Sequence, residues 1–494
     1  MEFIKNTGHP YIWGKNDIVK WLAVLLLEIL IAGIAIISPL PLFFFAVAGV
    51  VVLILLVKPE YSFYTVIFFI IPGRQVTLSL FGITEYISHL LVIIVLFFWG
   101  ITKLVKTKEV STATGPACTQ SLLFFLAWAL LSLTWSHNRT VGLEDAVKLS
   151  TAVALVFMIT AFVRDPKTFR IAVGIFIFVA IIDGTMAVIY PYTDFWMRKV
   201  WTFFGSLNVV FGFWGKHKTR GFGGRCMGLA PAHSTAVTLS FALTFCMMFF
   251  LVTRSRKKRL FFLGLAGILF AVITGTLTKS IIASVLISMI YVVLHLRPLR
   301  KRFFTAVFII FVLVIVFFVL TRFQDVGKSL YVIGQNMKAQ SDTLDKTSIG
   351  QRIEMAKIGL QELWKTGGMG TGIGGFLQYT HYDKMDGSHP AILWELGFIG
   401  MLLWIWILAG SYRFFVDAIK KSDNEYYRRM LLVYLGGYIN ILISWLVTFA
   451  YADIYIWFYL GIGFALVNLS RTDRLERKAI MLPFPDKGES LVVI

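Results

Sequence analysis

Long apolar runs leave this chain few choices of solvent. Crossing a bilayer as a helix takes about 20 mostly apolar residues. Fourteen stretches qualify as candidates: 19–38, 41–57, 61–72, 84–104, 120–137, 146–163, 168–190, 229–252, 258–277, 279–296, 303–321, 389–412, 429–449 and 453–469. The third is too short to span easily and ends at Pro72-Gly73, so it reads as a re-entrant or interfacial piece. The whole chain is 57% hydrophobic and only 15% charged. Soluble domains run at roughly 45–50% apolar and about 25% charged. One soluble core cannot hide this excess. A soluble enzyme, a disordered chain and a secreted disulfide scaffold are excluded. The expected fold is all-α, a polytopic membrane helix bundle of about 12–14 transmembrane helices.

Charge supplies the topology. The net charge is +20, from 47 Lys+Arg against 27 Asp+Glu. Cytoplasmic loops of membrane proteins carry extra Lys and Arg. With the N-terminus inside and the helices alternating, 29 of the 47 cations fall in cytoplasmic segments. The densest are Arg254–Arg259, Arg297–Arg302 and Arg413–Arg429. Both termini are then cytoplasmic. The first apolar run begins near Ile18 and reads as a signal anchor. The three cysteines build no framework, because Cys118 falls inside and Cys226 outside.

Fourteen of the other 18 cations sit in two external segments, 191–228 and 322–388. In 322–388 eight bases nearly balance seven acids. In 191–228 Arg198, Lys199, Lys216, Lys218, Arg220 and Arg225 face only Asp194. Long loops translocate regardless of charge, which suffices for 322–388 but explains 191–228 less well, and the imbalance there favours an anionic ligand. The resulting organisation is N-terminal helices (1–190), a basic loop (191–228), central helices (229–321), a large external loop (322–388), C-terminal helices (389–469) and a cytoplasmic tail (470–494).

Three places offer chemistry. Arg352–Trp364 has apolar residues at 353, 356, 360, 363 and 364, a helical stripe that lies along the membrane surface or caps the bundle. It runs into Gly367-Gly368-Met369-Gly370-Thr371-Gly372-Ile373-Gly374-Gly375-Phe376. This is neither a dinucleotide fingerprint, lacking a preceding strand, nor a P-loop, lacking Gly-Lys-Ser/Thr. Its glycines permit tight turns or close backbone approach to a ligand, with a flexible connector as the plainer reading. Next, His381 and His389 precede the run Ala391–Gly400. His389 stands at a helix mouth, where a neutral imidazole accepts a proton from an attacking hydroxyl or is simply a partly solvated interface histidine. Glu395, about two turns further, must face protein or water. Third, Thr219–Gly228 combines Arg220 and Arg225 with glycines, a pattern suited to pyrophosphate. Lys279, in the hairpin Thr278-Lys279-Ser280, either adds a point charge to the same face or is an ordinary interfacial lysine. No metal-ligand spacing is evident, so a phosphate leaving group would rely on arginine. Nucleic acid is not an expected partner for an extracytoplasmic patch.

The order of these motifs is R-x-x-G (Arg225, Gly228), T-x-S (Thr278, Ser280), then Arg352. A G-x-G-x-G run (Gly370, Gly372, Gly374, then Phe376), His389 and E-L-G-F-I-G (Glu395–Gly400) follow. Over about residues 200–415 the chain resembles the O-antigen ligase and O-antigen polymerase superfamily of bacterial inner-membrane proteins. The family pattern has His-Asn nine or ten residues before the glutamate; here His389 is six before it and Pro390 follows. The resemblance implies a GT-C-like fold and an inverting, metal-independent glycosyltransferase without cofactor. It would move a glycan from undecaprenyl pyrophosphate to lipid A-core or a similar acceptor at the periplasmic face. By the same resemblance Arg225, Arg352 and Arg220 grip the pyrophosphate, and His389 or His381 is the base. Lys279, Gly372 and Gly374 are expected to line the substrate. The alternatives are a polymerase of the same superfamily, a lipid-linked oligosaccharide flippase and a peptidoglycan polymerase. Of these, a flippase would carry charges inside its helices.

Overall fold

Inside a bilayer the backbone must satisfy its own polar groups, so each apolar run has to become a helix. A computed structural model describes residues 59–72, 77–80, 83–105, 118–205, 232–276, 278–295, 348–379, 387–446 and 451–481. The chain divides into two compact units, Met1–Ser62 and Phe63–Ile494. The bundle and the site belong to the second. The expected spans 19–38, 41–57 and 303–321 lie outside the described residues.

In chain order the helices are α1 (Pro59–Phe69), α2 (Ile87–Val105), α3 (Thr119–Leu131), α4 (Arg139–Phe162), α5 (Pro166–Gly205) and α6 (Ala232–Val252). Then come α7 (Arg256–Gly275), α8 (Lys279–His295), α9 (Ser348–Lys365), α10 (Ser388–Lys421), α11 (Glu425–Ser444) and α12 (Ile454–Met481). Six of them, α4, α5, α6, α7, α10 and α12, are long and apolar enough to cross a membrane. Parts of α2, α3 and α8 are apolar but shorter. The chain is therefore a polytopic, overwhelmingly helical membrane protein.

Two departures from the sequence reading stand out. A small antiparallel hairpin, β1 (Thr77–Leu80) with β2 (Ile83–Tyr86), occupies the start of the expected span 84–104. Helix α5 continues past Pro191 to Gly205, so Arg198 and Lys199 lie on helix rather than loop. Proline removes one ladder hydrogen bond but does not forbid helix. At 1.5 Å per residue this helix is about 60 Å long, roughly twice a hydrocarbon core.

Helix α6 occupies the centre: every residue from Ser234 to Phe249 is buried. Its Ser234, Thr235, Thr238, Ser240 and Thr244 are buried among apolar side chains, and hydroxyls of this kind suit contacts with other helices better than contact with lipid. Tyr434 of α11 and Tyr459 of α12 lock together beside it. Each hydroxyl donates to the other's backbone carbonyl, at 2.7 and 2.9 Å, and the rings stack at 4.5 Å. Polar groups within the bundle pair across helices. Ser284 donates to Asn440, and Asn440 donates to Ser240 at 2.8 Å, joining α8, α11 and α6. Thr238 donates to the fully buried Asp183 at 3.2 Å.

Between α4 and α5 the turn carries its own cap. Asp165 accepts the N–H groups of Lys167 and Thr168 at 2.8 and 2.9 Å and the Thr168 hydroxyl at 2.6 Å, just ahead of Pro166. An acidic cap followed by proline is a strong helix start. Burial pushes the Asp165 carboxyl up, but these hydrogen bonds outweigh it and hold the carboxyl below its ordinary value. Asp165→Ala should lower stability by about 1 kcal/mol at neutral pH. Because the folded carboxyl is the more acidic, that contribution is complete above the ordinary carboxylate range near pH ~4 and fades as pH falls below it. Thermal unfolding of both proteins at pH 7 and in acid should show the gap narrowing; a gap independent of pH would contradict the cap.

Candidate functional site

The backbone of α10 breaks at Gly397, where φ is 69° and ψ is −166°. The break withdraws intrahelical partners from the carbonyls just before it, and buried carbonyls need replacements. The glycine-rich loop after α9 supplies two. Thr371 N–H donates to the Trp394 carbonyl at 3.0 Å, and Gly372 N–H donates to the Glu395 carbonyl at 2.9 Å. Trp128 of α3 donates its indole N–H to the Leu396 carbonyl at 2.8 Å. In return Phe398 N–H donates to the Gly368 carbonyl at 2.9 Å. The break is thus closed by protein on both sides.

The loop begins where α9 ends. Gly368 N–H donates to the Leu363 carbonyl at 2.8 Å and Gly367 N–H to the Trp364 carbonyl at 3.1 Å, the paired bonds of a Schellman stop with Gly367 left-handed. From Gly370 to Phe376 the loop is buried. Its other side lies on the corner between α3 and α4. Ile373 N–H donates to Ser132 Oγ at 3.1 Å, and Ser136 Oγ donates to the Ile373 carbonyl at 2.9 Å. Gly372 and Gly374 both have positive φ. A Cβ on Gly372 would lie 2.5 Å from Ser136 Cα, and one on Gly374 would lie 2.6 Å from Gly142 N. The sequence anticipated close approach of these two glycines to a ligand; here their open faces are filled by neighbouring protein backbone. The loop is a packed wedge rather than a connector.

Glu395 fastens the wedge. It is buried, and its carboxyl group accepts the Tyr451 hydroxyl at 2.8 Å together with the backbone N–H groups of Gly374 and Phe376. It faces protein, as an ionisable residue in such a helix must. Other acids gather at this end of the bundle. Lys148 bridges Asp145 at 3.1 Å and Glu144 at 4.0 Å, and Tyr455 donates to Asp453 at 2.6 Å. Among the described residues no group of three His, Cys, Asp or Glu side chains is placed to hold a metal ion.

His389 stands one and a half turns before Glu395, within an aromatic cluster. The Trp404 indole N–H donates to His389 Nδ1 at 2.9 Å, and the ring also bonds the Leu442 backbone. Trp445 meets the imidazole edge-on at 6.0 Å, and its own buried N–H has no acceptor among the described residues. An indole only donates, so Nδ1 carries the lone pair and, in the neutral ring, Nε2 carries the proton. The nitrogen able to accept a proton is thus already engaged by Trp404.

Arg352 lies on α9, seven residues before Gly359, whose open face abuts the Trp394 indole. That is about 10 Å along the helix. Its side chain, and that of Lys279 at the first position of α8, are outside the described residues, as are Arg220, Arg225 and His381 altogether. What the structure brings together is α9, the loop with Gly372 and Gly374, and the start of α10 with His389 and Glu395. The sequence reading quoted Gly397 within Glu395–Gly400 but missed the break there, and it missed Trp128, Ser132, Ser136 and Tyr451. Comparison with protein-family models and with curated proteins finds no match.

Proposed function

We propose that this chain is an extracytoplasmic glycosyltransferase of the O-antigen-ligase kind, joining a glycan from undecaprenyl pyrophosphate to lipid A-core or a similar acceptor. The observation supporting this reading is the wedge itself. It packs the helix bearing Arg352 against the helix whose first turn holds His389, and so brings together two motifs that the sequence separates. In the proposed reaction the acceptor hydroxyl oxygen attacks the anomeric carbon. The bond from that carbon to the pyrophosphate oxygen breaks, and the lipid diphosphate departs with both electrons. Arg352 and Arg225, with Arg220, neutralise the charge that develops there. Inversion follows from a single displacement. The hydroxyl proton passes to a base. For His389 to be that base, Nδ1 must exchange the Trp404 N–H for the acceptor hydroxyl; His381 is the alternative carrier.

Arg352→Ala and Arg225→Ala should each lower transfer at least about 100-fold, the scale for removing one donor to a developing oxyanion. Size-exclusion profiles in detergent should stay those of the wild type. Full activity in both variants would overturn the pyrophosphate assignment. His389→Ala against His381→Ala separates the two bases. A lipid-linked oligosaccharide flippase is the second reading, favoured by the buried Asp183 and Glu395 and by the broken helix. Transbilayer movement of the lipid-linked glycan without transfer would decide for it.

A further inference from the structure

Helix α9 presents three kinds of surface. Met355, Gly359, Glu362 and Leu363 are buried against the bundle. Glu354, Lys357, Gln361 and Lys365 are exposed and polar. Between these two faces lies a flank on which Leu360 and Trp364 are 49% and 73% exposed. Seven-residue and four-residue spacings keep Lys357, Leu360, Gln361 and Trp364 neighbours on the helix, so the change from apolar to polar happens within one turn. Together with Leu360 it forms an apolar flank of the kind that interaction surfaces carry.

Position identifies the partner. Trp364 leads through Gly367 and Gly368 to Phe398, whose ring fills the open face of Gly368. Phe398 begins a row of exposed apolar residues on α10 that continues through Ile399, Leu402, Ile405 and Trp406. These belong to a helix long and apolar enough to cross a membrane, so lipid is the surrounding that suits them. The first cation along α10 after the break is Arg413. Counting back the ~20 residues of a hydrocarbon core from there reaches about Leu393, which puts Phe398 just inside the boundary. Trp364 is then at the height of the headgroup–acyl junction, where indole rings concentrate.

We infer that α9 is seated in the near leaflet, with Leu360 and Trp364 inserted among phospholipid at the headgroup–acyl junction and its Gln361–Lys365 edge in water. The lipid surface thereby holds the helix that carries Arg352 at a set depth. This inference stands whether or not the chain transfers glycans.

The test places a nitroxide at Trp364→Cys, with Cys226→Ser to remove the one thiol not known to be buried; Cys118 and Cys246 are buried. The full chain is reconstituted in phosphatidylethanolamine–phosphatidylglycerol vesicles. Collision with oxygen, which concentrates in lipid, is compared with collision with a water-soluble nickel chelate. Ile399→Cys provides the lipid standard and Gln361→Cys the aqueous one. The label at 364 should show an oxygen-to-nickel ratio within about twofold of the label at 399, and well above that at 361, for a side chain about 5–10 Å deep. A ratio matching Gln361→Cys would put the ring in water and overturn the inference. Exclusion of both reagents would also overturn it, since a second copy or another segment would then cover the flank.

Discussion

Gly397→Ala is expected to lose about 3 kcal/mol or more of stability and most of the folded protein recovered from membranes. Two costs combine. The observed φ of 69° with ψ of −166° is a conformation available almost only to glycine, worth of order 1–3 kcal/mol to an L residue. The new Cβ would also lie 2.2 Å from the Gly368 carbonyl oxygen, and backbone cannot swing aside as a long side chain can. Relief requires the loop to leave the break, which strands the Trp394 and Glu395 carbonyls without donors. Gly264→Ala is the matched control. That glycine lies within α7, where an added methyl would meet no atom within 4 Å, so the same chemical change should be neutral or stabilising by up to about 1 kcal/mol. Thermal unfolding followed by size-exclusion in detergent compares the two. Equal behaviour would mean that α10 has no such break.

Glu395→Ala is expected to be comparably severe. Three donors, the Tyr451 hydroxyl and the N–H groups of Gly374 and Phe376, converge on one buried carboxyl group. Leaving a buried donor without an acceptor costs about 1–3 kcal/mol, so the truncation should cost about 3 kcal/mol or more. Glu395→Gln keeps one carbonyl oxygen and should fall between. Tyr451→Phe removes one donor with its need and should cost only about 1 kcal/mol. The order Ala, then Gln, then Tyr451→Phe is the signature of a carboxyl group that anchors the loop. Protease cleavage within 366–376 should be greatest for Glu395→Ala and fall in that order. If Glu395→Ala were as stable as the wild type, the carboxyl group would not be holding the wedge.

Much of the bundle could be read from hydrophobic runs, because a span of about 20 apolar residues has no other stable form in lipid. The stripe Arg352–Trp364 likewise became α9. The break in α10 could not be read. Glycine inside an apolar run is common in membrane helices, and nothing local in Glu395-Leu396-Gly397 signals that the ladder stops there. Its partners, Thr371 and Trp128, are 23 and 268 residues from the carbonyls they serve. The glycine loop shows the same limit from the other side. The sequence marked Gly372 and Gly374 for close approach to a substrate, but which surface approaches is a tertiary fact, and here Ser136 and Gly142 fill those faces. His389 could be placed at a helix mouth from sequence; that Trp404, fifteen residues later, occupies its Nδ1 could not. The extension of α5 to Gly205 escaped notice because an internal proline reads as a boundary when only hydropathy is followed.

The central claim is that this membrane protein transfers a glycan from a lipid diphosphate. The most direct measurement reconstitutes the purified full chain in vesicles with undecaprenyl-pyrophosphate-linked glycan and offers, separately, lipid A-core and a second lipid-linked glycan. The account predicts glycan on lipid A-core with one equivalent of undecaprenyl pyrophosphate released; extension of the second lipid-linked glycan instead would mark a polymerase of the same chemistry. Release of no lipid diphosphate with either acceptor, in vesicles where the protein is folded and both substrates are accessible, would contradict it.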